Sequence, residues 1–159
     1  MKYRIISVGK IRESFYMEGV REYMKRLGPY TSMEFIDGLE EKISPRAREK
    51  EIQAILQKEA EKIKRWLDKD EILVVLDLEG QVRSSEEMAQ QLEKWNASGK
   101  SRVTFLLGAA HGLANEIKQQ AQESVSLSRL TFPHQMAVLI LAEQIYRGFK
   151  ILKGEPYHR

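Results

Sequence analysis

The sequence predicts an α/β domain built on a mainly parallel sheet. Two runs, Ile72–Leu76 and Val103–Leu107, are continuously apolar, the pattern of strands buried on both faces. Strand-like runs alternate along the chain with segments of helical periodicity. The 159 residues suffice for one such domain, spanning 1–159, with a core that needs no disulfide or metal.

Each element has its own local signal. Tyr3–Val8 is a short apolar-rich run closed by Gly9, and reads as a strand. Phe15–Leu27 places Tyr16, Val20, Tyr23, Met24 and Leu27 at helical spacing, and Gly28-Pro29 stops it. Ser32–Ile36 is a second strand. Pro45–Leu67 puts Ile52, Ile55, Leu56, Ile63, Trp66 and Leu67 on one helical face, with a solvated charged face opposite. Ile72–Leu76 is a buried strand. Ser85–Trp95 is a helix opened by Ser84-Ser85, with Glu87 near the capping-box position. After the strand Val103–Leu107 come a helix over Leu113–Gln122 and a short strand over Ser124–Leu127. Pro133–Leu152 is a long helix with Pro in its first turn and Gly154 just past its end. No linker, repeat or low-complexity segment interrupts this order.

Composition excludes several classes of chemistry. With no cysteine there is no disulfide framework, thiolate nucleophile or iron–sulfur ligation. Charged residues make up 31% and the net charge is +3, which permits an anionic partner without demanding one. The longest purely apolar run, Met136–Ala142, is too short to cross a membrane. The N-terminus lacks the apolar stretch and cleavage site of a signal peptide, so the expected location is cytoplasmic. G-x-G never occurs, which removes the dinucleotide fingerprint. Gly99-Lys100-Ser101 mimics the end of a phosphate loop, but Lys94 stands where that loop needs glycine. His111, His134 and His158 are widely separated, so no catalytic metal is expected.

The informative residues lie in the last third. Gly108-Ala109-Ala110-His111-Gly112 follows a buried strand, so small residues border the carboxyl end of a parallel strand, where open α/β sheets bind ligands. Its plain alternative is a tight turn. From Gln144 onward four basic residues, Arg147, Lys150, Lys153 and Arg159, face the single acid Glu155. A basic stretch with Tyr157 and His158 suits phosphate contact and base stacking; its plain alternative is a soluble terminus.

Three motifs, Thr131-Phe132-Pro133-His134-Gln135, Glu143-Gln144-Ile145-Tyr146-Arg147 and Pro156-Tyr157-His158-Arg159, resemble the signature of one family. It is that of the ribosomal RNA large-subunit methyltransferases H, minimal members of the SPOUT class. Ser7-Val8-Gly9-Lys10-Ile11 and Lys25-Arg26-Leu27-Gly28-Pro29-Tyr30 fit the same pattern, and the resemblance covers the whole chain. It implies a deep C-terminal trefoil knot, a homodimer, and S-adenosylmethionine as methyl donor. The implied substrate is N3 of a pseudouridine in helix 69 of 23S rRNA, within the assembled ribosome. It also implies a cofactor site formed by the strand end at Leu76, by Gly108, and by the loop Leu127, Ser128, Arg129, Leu130, Thr131 and Phe132. Two positions depart from the family pattern. Ala109 replaces a glycine, and Val138 replaces an arginine whose loss threatens cofactor or RNA affinity.

Methylating N3 requires that the base be placed in line with the methyl and that an imide proton be lost. The candidate residues for this are Arg147, Tyr157, His158 and Glu143. Arg147 would stabilise the imide anion or grip a phosphate. His158 would accept the proton, Tyr157 would stack on the base, and Glu143, one helical turn before Arg147, would orient it. Gly154 and Pro156 are expected to free the tail to extend into a partner subunit. Two rival readings remain at this level: a non-catalytic RNA- or ribosome-binding protein of the same fold, and an α/β enzyme for a small anion with the tail as lid.

Overall fold

Along β1 (Lys2–Ser7), β3 (Glu71–Val82) and β4 (Arg102–Leu107), successive side chains enter two different cores. Tyr3, Ile5, Ile72, Val74, Val103 and Phe105 join one. Ile6, Leu73, Val75 and Leu106 join the other. The computed structural model describes residues 1–158. With β2 (Ser32–Asp37) and β5 (Glu123–Ser126), these strands form one five-stranded sheet in the order β2-β1-β4-β3-β5. Every pairing is parallel.

Parallel pairing requires crossover connections, which bring helices onto both faces. The helices α1 (Ser14–Leu27), α3 (Ser85–Asn96) and α5 (His134–Leu152) cover the face of Tyr3 and Phe105. The helices α2 (Glu49–Lys64) and α4 (Asn115–Gln120) cover the face of Ile6 and Leu106. The capping box of α3 is present. Ser84 Oγ accepts the Glu87 N–H at 3.1 Å, and the Glu87 carboxylate accepts the Ser84 N–H at 2.9 Å.

Two elements differ from their sequence reading. α2 begins at Glu49 rather than Pro45, because Pro45 and Arg46 form a turn instead: the Ala47 N–H bonds Ser44 O at 3.0 Å and the Arg46 N–H bonds Ser44 Oγ at 3.2 Å. Trp66 lies past the helix end and is exposed, while Glu59 and Ala60 take the buried positions. Likewise β3 runs on through Val82 instead of stopping at Leu76. It pairs with β5 up to Leu76, breaks register, and pairs again from Gln81.

One buried ion pair ties β1 to β3 across the intervening β4. Arg4 donates to the Glu71 carboxylate at 3.0 Å and to Trp66 O at 2.6 Å, and Thr104 of β4 bonds both partners. Burial pushes the Arg4 guanidinium down from its ordinary value, and Glu71 opposes that. Removing one charge strands the other in the interior. Glu71→Gln is therefore expected to cost about 3–5 kcal/mol of stability in denaturant unfolding.

Candidate functional site

At the carboxyl ends of β3, β4 and β5 lies a cavity of about 500 Å³. Three segments build it. The first is the stretch of β3 that breaks register, including Leu76, Asp77 and Leu78. The second is the turn after β4, where a side chain on Gly108 would put its Cβ 2.5 Å from Gly112 O. Gly112 itself has φ +77, and its N–H bonds Ala109 O at 2.9 Å, so the turn closes on itself. The third is the loop after β5. Ser126 Oγ donates to Ser128 O at 2.8 Å and Ser128 Oγ accepts the Leu130 N–H at 3.0 Å.

Of the expected cofactor residues, Leu76, Gly108, Leu127, Ser128, Leu130, Thr131 and Phe132 line this cavity. Arg129 does not; it is exposed and off the wall. The two departures from the family pattern leave the wall whole. Ala109 lines the cavity with an ordinary negative φ, because Gly112 carries the positive one. Val138 is fully buried in the apolar core, away from the cavity. The sequence reading missed Asp77, Lys118, His134 and Ala137. Asp77 and Lys118 pair at 3.3 Å on the wall. His134 stands beside Gly9 and bonds Lys10 O at 3.1 Å, while Gln135 Oε1 accepts the Arg12 and Glu13 N–H groups at 2.8 and 2.9 Å. For His134 and Gln135 the signal available in the sequence is their place inside the Thr131–Gln135 motif; Asp77, Lys118 and Ala137 lie outside it.

Glu143, Arg147, Tyr157 and His158 come together, but on a different surface; none of them lines the cavity. Arg147 Nε donates to Glu143 at 2.7 Å, and that bond holds the guanidinium above its ordinary value. Its charge lies 4.7 Å from the Tyr157 ring centroid, and its Nη1 is 3.2 Å from His158 Nδ1. His158 Nε2 is 2.6 Å from the Glu86 carboxylate. Tyr157 is half-buried and packs edge-on against Tyr146, and the Arg147 guanidinium lies over its ring where a stacked base would otherwise sit. Nor does the tail extend freely. Glu155 accepts from Lys150 and from Tyr30, each at 2.8 Å, and this folds the tail back onto α5. Arg147 and Lys150 are thus neutralised within the chain and do not form an open basic strip. Arg159, the last residue of that motif, lies outside the described residues.

A ligand cavity at the strand ends of a parallel sheet, bordered by close-turning loops, is the site type of a cofactor-binding α/β enzyme. The family model described as predicted SPOUT methyltransferase matches residues 1–158, and the chain belongs to that family. It is 93% identical, over the full length of both chains, to the ribosomal RNA large subunit methyltransferase H of Syntrophomonas wolfei subsp. wolfei. The proteins of that name from Acetivibrio thermocellus and Enterococcus faecalis are 46% and 40% identical, again over the full length of both chains. The solved structure of a probable methylase family protein from Haemophilus influenzae Rd KW20 shares the fold. Its TM-score is 0.55 at 14% identity, covering 99% of this chain and 70% of that one. The protein is a methyltransferase, and S-adenosylmethionine is the methyl donor of its family. Among the described residues no helix is long and apolar enough to cross a membrane, and no three His, Asp or Glu side chains form a metal-holding group.

The cavity fits that donor in size and chemistry. Apolar Leu76, Leu127 and Phe132 suit a flat purine, and the paired Asp77 and Lys118 suit an ammonium and a carboxylate. Gly108→Ala is expected to lower thermal stability and donor affinity together, because its Cβ meets backbone. Ala137→Phe fills the cavity from a helix and is expected to abolish donor binding in calorimetry while the protein remains folded.

Burial, and then the Tyr23 hydroxyl 3.5 Å away, push the Tyr157 phenol up to about 12. An unfolded tyrosine ionises near 10. Between those values the unfolded state releases its proton first, so stability falls as pH rises. Tyr157→Phe is expected to flatten that decline in denaturant titrations across the same interval.

Proposed function

We propose that this methyltransferase acts on 23S rRNA in the assembled ribosome, at N3 of the helix 69 pseudouridine, as a cytoplasmic homodimer. The observation that carries this reading is the full-length, 93% identity to a relative named for the large-subunit ribosomal RNA. The trefoil knot of the family belongs to the same reading.

S-adenosylmethionine, held by Leu76, Gly108 and the Leu127–Phe132 loop, supplies an activated methyl group at a sulfonium. The chain's own side chains place the base and remove its proton. Arg147, aligned by Glu143, faces the negative charge that develops on the imide. Next to it, His158 takes the N3 proton. Tyr157 keeps the tail seated through Tyr146 and Tyr23.

In one chain the cavity and the Arg147 cluster share no residue. This supports a site shared between two subunits, in which the cluster of one meets the cavity of the other. Leu78 and Leu130 on the cavity wall are 55% and 70% exposed, and Phe15 on α1 is 61% exposed, apolar surface that a partner would cover. Mixed dimers test the arrangement. One subunit carries Ala137→Phe with an intact tail, and the other lacks residues 155–159. Each homodimer is expected to be inactive and the mixed dimer to recover methyl transfer, read by mass spectrometry of the rRNA. Mixed dimers without activity contradict the shared site. Loss of the 3-methylpseudouridine mass from 23S rRNA of cells lacking the protein tests the substrate directly.

A further inference from the structure

We propose that Glu86 is a positioning residue of the methyl-transfer site. Its carboxylate, on the first turn of α3, holds the His158 ring so that Nε2 carries the hydrogen and Nδ1 is the basic atom offered to the substrate. The inference rests on the role given above to His158.

Hydrogen-bond chemistry fixes the orientation. A guanidinium has only donors, so His158 Nδ1, 3.2 Å from Arg147 Nη1, must accept. In a neutral imidazole the hydrogen is then on Nε2, which donates to Glu86 Oε1 at 2.6 Å. The Arg147 bond is the longer one, and an imide N–H entering the site can replace it at Nδ1. The Glu86 bond lies on the far side of the ring and remains in place.

Among the described residues the surrounding charges leave this task to Glu86. His158 is faced by Glu86 from α3 and by Arg147 from α5, beside Glu143; Tyr157 is its neighbour, with Tyr23 of α1 behind that ring. Glu143 already balances Arg147 at 2.7 Å. Among the described residues an imidazolium formed next to Arg147 has no other counter-charge, and Glu86 provides it. Packing does not explain the contact, because the Glu86 side chain is 60% exposed. The hydrogen bond from His158 holds the Glu86 carboxyl below the usual carboxylate range. During transfer the imide nitrogen gives its proton to Nδ1, and its electron pair bonds the methyl carbon. The carbon–sulfur pair stays on sulfur, so charge is conserved, and the proton later leaves His158 for solvent.

Two measurements on the full-length protein test this. The first follows the Glu86 carboxyl carbon by NMR titration, with no donor or substrate added. It is expected to titrate below the ordinary glutamate range in the wild type and at higher pH in His158→Ala than in the wild type. Identical titrations in the two proteins overturn the contact. The second is the pH profile of methyl transfer. Glu86→Gln keeps an acceptor but loses the charge. It is expected to lower kcat about tenfold, leave KM unchanged, and move the acid limb of the profile to lower pH. Glu86→Asp is expected to recover part of the rate. A Glu86→Gln enzyme with the kcat and pH profile of the wild type overturns the positioning role even where the NMR contact holds. If His158→Gln retains full kcat, it is the role of His158 that fails, and the catalytic part of this inference fails with it.

Discussion

β3 and β5 pair as far as Leu76, part, and meet again at Gln81. Where they rejoin, a Cβ on Gly80 would lie 2.6 Å from the Val125 carbonyl carbon, so only glycine lets the two backbones close. The cavity depends on this contact. The excursion between the two pairings turns Asp77 and Leu78 onto the cavity wall, and β5 continues from the second pairing into the loop that forms the opposite wall. Without the rejoining, the strand ends would splay and the Leu127–Phe132 loop would lose its anchor.

A second junction fixes the remaining wall. α1 has no capping side chain of its own, and Gln135 from the start of α5 accepts the Arg12 and Glu13 N–H groups instead. His134 covers Gly9 so closely that any side chain there would strike its ring. Asp37 at the end of β2 accepts the Ile11 N–H at 2.9 Å. The segment after β1 is thereby clamped between β2 and α5, and the first turn of α5 is held against the cavity. Two motifs more than a hundred residues apart in sequence thus form one structural unit.

The sheet was legible in the sequence because strands buried on both faces cannot hide their apolar runs: Ile72–Leu76 and Val103–Leu107 are both central strands. Seven of the eight expected cofactor residues line one cavity, through the resemblance together with the small-residue turn at Gly108. Other features were not legible, for physical reasons. The continuous apolar run ends at Leu76, and in Asp77–Val82 the two large apolar residues, Leu78 and Val82, are exposed on either side of Gly80, so the signal of a buried strand stops there although the strand does not. Glu86 sits among the acids of an ordinary helix start, and its contact with His158 spans 72 residues of chain. The docking of the tail depends on a Glu155–Lys150 pair and on tyrosine packing, and both read in sequence as a soluble terminus.

The central claim is that the methyl donor occupies the cavity at the strand ends. A second cavity, of about 330 Å³ and lined by Arg83, Met88 and Gln144, shares Leu76, Ser126 and Leu127 with it and offers a competing location. Hydrogen–deuterium exchange with and without S-adenosylmethionine distinguishes the two. The account predicts slowed exchange in peptides covering 108–112 and 127–132, with those covering 83–88 and 140–144 unchanged. Protection confined to 83–88 and 140–144 would contradict it.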